Sequence, residues 1–351
     1  MKAHGASEQL IREIPEALSE LLGETGYDVR EPAEGAENPD LIVQAAGKLF
    51  VVEYKQSSAA AHLAYAAQLV KRLSKKFSRN AIPLLAVPFM GEAGARVCAD
   101  AEVGWLDLSG NARIVAPGIR VIVQGNPNRF LPRGRPPNIF APKSSRIIRW
   151  LLLHPNESFT QREMAKLVDL DEGFVSKITS RLESAGYVSR PNGSAIQVRN
   201  PSLLIEDWRE AYVFSRHTIH AGHIAARSSE LLLSRVCSAL SSRKMQYALT
   251  GLAGAWEYTR FAGYRLVSLY TKSDPSQELI EALGFKEGTR GANLWLVVPN
   301  DDGVFHGSVT KGKFRCASPI QVYLDLKGHP ERASEAAERL KKELLNWNGA
   351  D

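Results

Sequence analysis

The stretch "ENPDLIVQAAGKLFVVEYKQ", residues 37–56, sets Glu53 and Lys55 in a run whose neighbours are apolar, with a Pro39-Asp40 pair shortly ahead of them. The segments "DLIVQAA" and "KLFVVEYK", separated by Gly47, predict a β-hairpin. Alternation along a strand sends Glu53 and Lys55 to one face and Val52 and Tyr54 to the other. A hairpin between Asp40 and Glu53 would bring both carboxylates together, where their oxygens suit one hard cation such as Mg²⁺. Lys55, on that same face, would orient a water or stabilise charge developing on a phosphate. The competing reading is a surface strand with a satisfied Glu-Lys pair.

Working outward, "EQLIREIPEALSELL" (8–22) has helical apolar spacing despite Pro15, and 58–78 reads as a second helix carrying Lys71, Arg72, Lys75 and Lys76. "AIPLLAVPFM" reads as a buried strand, and "VGWLDLSGNARIVA" as strand, turn and strand, with "RVIVQG" closing an α/β domain over 1–125. Asp107 and Asn111 flank the Ser109-Gly110 turn, where turn chemistry accounts for them without a ligand. The whole arrangement resembles the PD-(D/E)XK restriction-endonuclease-like family. Its Pro-Asp falls on Pro39 and Asp40, and its Glu-x-Lys on Glu53, Tyr54 and Lys55. The resemblance implies a site of Asp40, Glu53, Lys55 and Gln56, with Asp40 and Glu53 holding Mg²⁺ and a further acid from Glu13, Glu16 or Glu20. Domains of this fold can also serve only to bind DNA.

With 351 residues, 44% hydrophobic and 23% charged, the chain suits two or three ordinary globular domains. It has no apolar run long enough to span a bilayer, and "MKAHGASEQL" lacks a signal-peptide core, so a cytoplasmic location and no membrane partner are expected. Three scattered cysteines, Cys98, Cys237 and Cys316, fit a reducing compartment and provide no thiolate zinc site. The net charge of +6 is modest, so the placement of charge must point to any polyanionic partner. A Pro-rich linker, 126–144, carries Arg129, Arg133, Arg135 and Lys143, with Arg146 just beyond adding to its basic charge; it either lies along a phosphate backbone or simply separates domains.

Residues 145–206 predict three helices and a hairpin. "SRIIRWLLLHP" is the first; "TQREMAKLVDL" follows with Thr160 and Glu163 as a capping box; "DEGFVSKITSRLESAGYV" is the third, ending at Gly186. "SRPNGSAIQV" adds a turn at Asn192-Gly193. Phe174, Val175, Ile178 and Leu182 form the expected inward stripe, leaving Ser176, Lys177, Thr179, Ser180 and Arg181 outside, with Arg190 and Asn192 on the wing. Short hydroxyls and bases there suit phosphate and base-edge contacts. The segment resembles the winged helix-turn-helix family, which implies double-stranded DNA as partner. The other reading is a helical interaction domain that never touches DNA.

Residues 207–351 read as a third α/β domain. "RHTIHAGHIAAR" spaces His217, His220 and His223 near an expected helix, which is either a solvated face or a poor zinc site. Residues 145–345, through "YALTGLAGAW" and "CASPIQVYLDLKGHPERASEAAERL", resemble AbiEi-type antitoxins of type IV toxin–antitoxin systems. That resemblance implies a DNA-binding transcriptional regulator with a cognate toxin or other protein partner, here with a nuclease-like domain added ahead. "ALTGLAGAW" is also faintly similar to nucleotidyltransferase-like folds. Their activity needs paired acids, yet Asp325 in "VYLDL" stands alone, which favours a scaffold or partner-binding domain. Three functions are therefore expected to compete: a DNA-binding regulator of antitoxin type, a Mg²⁺-dependent endonuclease targeted by the winged helix, and a toxin–antitoxin component acting through protein contacts.

Overall fold

The computed structural model describes residues 2–30, 32, 38–130, 138–191 and 193–347, with backbone alone for 2–7. Arg133 and Arg135 of the linker and Asn192 of the wing lie outside the described residues. The chain divides into two compact units, 1–136 and 137–351, with the short segment Glu183–Tyr187 grouped with the first.

The first unit runs α1 (Lys2–Leu22), β1 (Asp28–Arg30), β2 (Leu41–Ala45), β3 (Lys48–Tyr54), α2 (Ala60–Phe77), β4 (Ile82–Val87), α3 (Glu92–Asp100), β5 (Gly104–Asp107), β6 (Ala112–Ala116) and β7 (Ile119–Val123). Its seven strands lie side by side in chain order. The hairpin at the centre pairs Leu41 with Val52 and Ala45 with Lys48. Ala46 and Gly47 both have positive φ, the geometry a two-residue hairpin turn requires. β3, β4 and β5 are parallel, and α2 and α3 are their crossovers; β6 and β7 return antiparallel.

Alternation decides which side each strand residue serves. Phe50, Val52 and Tyr54 pack with Ile14 and Leu18 of α1, while Val51 and Leu85 pack with Leu63, Val70 and Leu73 of α2. Both layers are apolar, and each fully buried Leu, Val or Phe contributes roughly 1.5–3 kcal/mol relative to exposure. Glu53 therefore projects to the α2 side of the sheet, in register with Val51.

The second unit begins with α4 (Pro142–Leu153), α5 (Gln161–Leu167), α6 (Glu172–Ser184), β8 (Val188–Ser189), β9 (Gln197–Val198) and α7 (Pro201–Ala211). It continues with β10 (Thr218–His223), α8 (Ser229–Ser242), β11 (Tyr247–Thr250), α9 (Gly251–Thr259), β12 (Val267–Thr271) and α10 (Gln277–Leu283). Then come β13 (Lys286–Glu287), β14 (Leu294–Val298), β15 (Val309–Lys311), β16 (Phe314–Cys316), α11 (Pro319–Asp325) and α12 (Ala333–Leu344). Its large sheet is mixed, in the order β13-β10-β14-β12-β11-β16-β15.

The histidine run departs from expectation. It forms β10 rather than a helix, with Ile219 opposite Val297 and Ala221 opposite Trp295. Period-two alternation separates His220 from His223, and His220 turns instead to Asp274 at 2.8 Å. Among the described residues no group of three or more His, Cys, Asp or Glu side chains is placed to hold a metal ion. No described helix is long and apolar enough to cross a membrane.

Candidate functional site

The helix-turn-helix is set by local chemistry. Thr160 Oγ1 accepts from the Glu163 backbone at 3.2 Å, and the Glu163 carboxylate accepts from the Thr160 backbone at 2.8 Å, so two otherwise unpaired donors at the start of α5 are satisfied. In the turn to α6, Asp169 takes a left-handed φ of 52°, and Asp171 accepts from the Phe174 backbone at 3.0 Å. Val175, Ile178 and Leu182 of α6 are buried, as are Ile147, Ile148 and Leu151 of α4.

The outer face of α6 carries Lys177 and Ser180 exposed, with Ser176 and Arg181 half-buried. Thr179 does not belong to it. It is 0% exposed and donates from Oγ1 to the Ser176 carbonyl at 3.1 Å. The reason is periodicity: Thr179 lies one turn beyond Val175 and beside Ile178, on the edge of the buried stripe. Phe174 moves the other way. In the first turn it is half-buried beneath Lys143, whose Nζ lies 5.5 Å from the ring centre. The wing is short, pairing Val188 with Val198 and Ser189 with Gln197, and Arg190 Nη1 donates to the Ser194 carbonyl at 3.5 Å. Asp171 and Glu172 make the start of α6 acidic, and its positive charge, Lys177 and Arg181, lies further along.

In the first unit, Asp40 Oδ2 accepts from the Tyr54 backbone at 2.8 Å, which ties the entrance of β2 to the end of β3. Glu53 is 5% exposed, and Lys55 Nζ donates to its Oε1 at 2.5 Å. Its Oε2 is buried with no hydrogen-bond partner among the described residues. Burial raises the Glu53 pKa; the Lys55 hydrogen bond opposes this, and the neighbouring Asp40 charge adds to it. Asp40 and Glu53 are thus electrostatically coupled, with Lys55 between charge and solvent. Gln56 is exposed at the same strand end.

The helix acids do not join them. Glu13, Glu16 and Glu20 line a separate cavity of about 470 Å³ with Asp107 and Arg129, because α1 covers the Phe50 and Tyr54 side of the sheet. Asp107 accepts four hydrogen bonds, from the backbones of Met90, Ser109 and Asn111 and from the Asn111 amide, at 2.9–3.0 Å. That saturation supports the turn reading of Asp107 and Asn111.

A polar cluster in the second unit has no counterpart in the expectations. Asp325, 0% exposed, accepts from Thr250 and Tyr212 hydroxyls at 2.5 Å, from Tyr270 at 2.9 Å and from the Gln321 amide at 2.7 Å. Burial outweighs these bonds and raises its pKa to about 6. Gln321 in turn accepts from Arg149 Nη2 of α4 at 2.5 Å, and the Arg146 Nε–H is shared between the two Asp301 oxygens at 2.8 and 3.1 Å. These bonds fasten α4 to α11 and to the segment that follows β14. The sequence clue is polarity out of place: Arg149 interrupts "IIRWLLL", and Gln321 and Asp325 fall four apart in an apolar run.

A family model described as transcriptional regulator, AbiEi antitoxin, type IV toxin–antitoxin system matches residues 197–346, which covers the large sheet and begins at β9. No curated protein matches the chain, and neither does any solved structure. From residue 197 onward the chain is therefore similar to AbiEi-type transcriptional regulators, and neither the first unit nor α4–α6 is reached by that match.

Proposed function

We propose that this chain is a DNA-binding transcriptional regulator of the antitoxin type, in which α6 enters a major groove and the β8–β9 hairpin lies against the flanking backbone. The observation that carries the reading is one of order. A capped helix-turn-helix with an exposed Lys177 and Ser180 leads directly into the AbiEi-like region. Small and basic side chains on this helix face suit phosphate and base-edge contacts.

The test is binding of the full chain to duplex DNA from upstream of its own coding sequence and to unrelated duplex, over a range of salt. Lys177→Ala and Arg181→Ala should each weaken binding and lower the slope of log K against log salt by roughly 0.9 for each phosphate that is no longer neutralised. Wild-type affinity and slope in both variants would sink the placement. The AbiEi likeness also implies a cognate toxin, and co-purification with the product of an adjacent gene tests that partner.

A second reading is favoured by Glu53, whose buried Oε2 has no protein partner among the described residues and lies beside a second carboxylate and a lysine. Two carboxylates with water completing the shell are what a Mg²⁺ site usually offers, so Asp40 and Glu53 fit that ion. Such an ion, when bound, makes a water more nucleophilic and neutralises phosphate charge. Lys55 would then leave Glu53 Oε1 for the scissile phosphate, and Gln56 would line its approach. Plasmid cleavage that needs divalent metal and vanishes in Asp40→Ala, Glu53→Ala and Lys55→Ala supports this second activity. Intact plasmid under all metal conditions leaves binding as the unit's role.

A further inference from the structure

Between Glu53 and Glu92 the sequence holds no acid, while Lys55, Lys71, Arg72, Lys75, Lys76 and Arg79 all fall there. Five of those six cluster in the second half of α2 and just past its cap at Ser78. Part of this charge serves the fold. Lys71 Nζ donates to the Ala101 carbonyl and to Glu102, both at 2.8 Å, and Lys75 and Lys76 complement the negative end of the helix dipole. Arg72, a turn earlier, and Arg79, beyond the cap, owe nothing to either effect. At about 100° per residue, Tyr65, Gln68, Arg72, Lys75 and Lys76 share an arc of about 100°. That arc points away from Leu63, Val70 and Leu73, which pack on the sheet. All five side chains are exposed, Tyr65 at 70%. Arg72, Lys75 and Arg79 have no ion-pair partner among the described residues.

The crossover fixes where this stripe lies in the first unit. β3 and β4 are parallel, with Phe50 beside Ile82 and Tyr54 beside Ala86, so α2 starts near the Tyr54 end and runs back to the Ile82 end. At 1.5 Å per residue, Lys76 is about 24 Å from the start of the helix. It therefore lies at the end of the sheet away from Asp40 and Glu53. Arg79 lines a cavity there with Lys48, the first residue of β3. The acids that α3 and its exit bring to this end are Asp100 and Glu102, the latter held by Lys71. Cations in a row, with the Tyr65 hydroxyl and the Gln68 amide as neutral donors, are side chains that bind phosphate oxygens without reading sequence. We infer that the outer face of α2, from Tyr65 to Arg79, is a second duplex-DNA surface of this chain, one that holds the phosphate backbone. The inference rests on the reading that the chain binds DNA, and it gives the first unit a binding role that needs neither Asp40 nor Glu53.

The test combines Arg72→Ala, Lys75→Ala and Arg79→Ala in the full chain. This triple variant is titrated over a range of salt with duplex from upstream of the coding sequence and with unrelated duplex, beside wild type and the Lys177→Ala, Arg181→Ala pair. The three side chains are exposed and alanine favours helix, so the melting temperature should stay at the wild-type value. The slope of log K against log salt should become shallower by up to about 2.7, about 0.9 for each of three phosphates, and affinity at about 0.1 M salt should fall at least about tenfold. The loss should be equal on both duplexes, because phosphate contacts carry no sequence information. Arg72→Lys with Arg79→Lys keeps both charges and should keep the wild-type slope. A triple-variant slope within about 0.5 of wild type overturns the inference. Loss of a co-purifying protein from that variant, with DNA binding intact, overturns it too and gives the face to a protein partner. The placement on α6 fails separately, when the Lys177→Ala, Arg181→Ala pair keeps the wild-type slope and the triple variant does not. A wild type that binds neither duplex overturns both.

Discussion

His217 offers a sharp test of the buried polar cluster. It is 7% exposed, and its Nδ1 accepts from the Asn300 backbone at 3.1 Å, so the neutral ring carries its proton on Nε2, which faces Tyr212 at 2.9 Å and Tyr270 at 3.3 Å. A second proton on Nδ1 would set one N–H against another. Burial, followed by the charge of Arg149, lowers the pKa from 6.5 to about 4. As pH falls through this window the unfolded chain binds the proton first, so stability is lost between 6.5 and about 4 and nothing further is lost below. The full loss is about 3.4 kcal/mol, and about 2.4 kcal/mol of it falls between about pH 7 and about pH 4.5. His217→Gln keeps one donor and one acceptor but does not titrate. Urea unfolding of both proteins, followed by tryptophan fluorescence at the two pH values, should show the wild-type advantage shrinking by that amount on acidification. Asp325, with its pKa raised to about 6, acts with the opposite sign in an overlapping range, losing stability as pH rises, and the comparison of variant with wild type removes it. A difference that moves by less than about 0.5 kcal/mol would refute the neutral, buried assignment.

Thr160→Ala should cost about 1 kcal/mol of stability by breaking the capping box, read as a lower urea midpoint at unchanged m-value. Thr179→Val, which removes a buried hydroxyl at nearly constant volume, should leave DNA affinity unchanged; a large drop in affinity would return Thr179 to the interface. Glu53→Gln should raise the melting temperature at neutral pH, because the folded-state pKa is raised and the charged form costs stability as pH rises through it. If Asp40 and Glu53 hold a divalent cation, Mg²⁺ should stabilise the wild type and leave Glu53→Gln unmoved, and equal shifts in both would exclude the pair as its ligands.

Local chemistry explains which elements could be read from sequence. The hairpin followed from alternation, and the Thr160 box from two residues three apart, because the interactions that make them span only a few positions. β1, at three residues, is held by pairing with β2 and carries too little pattern of its own, whereas the short β8–β9 pair was signalled by the Asn192-Gly193 dipeptide between its flanks. The histidine run misled because a three-residue spacing mimics a helix, while Ile219 and Ala221 were answering to β14, far along the chain.

Polar intrusion into apolar runs was visible at Glu53, Asp107, Arg149 and Asp325 alike, and sequence cannot rank them because their partners are distant: Arg149 meets Gln321 across 172 positions. What separates them is whether each group's bonding capacity is used. Asp107 and Asp325 are each ringed by four donors, which makes a brace of the carboxylate and leaves it nothing to offer a ligand. Glu53 keeps one oxygen and Arg149 two nitrogens without a protein partner among the described residues. Leaving such groups unmatched costs roughly 1–3 kcal/mol each, more when charged, which folding alone gives no reason to bear.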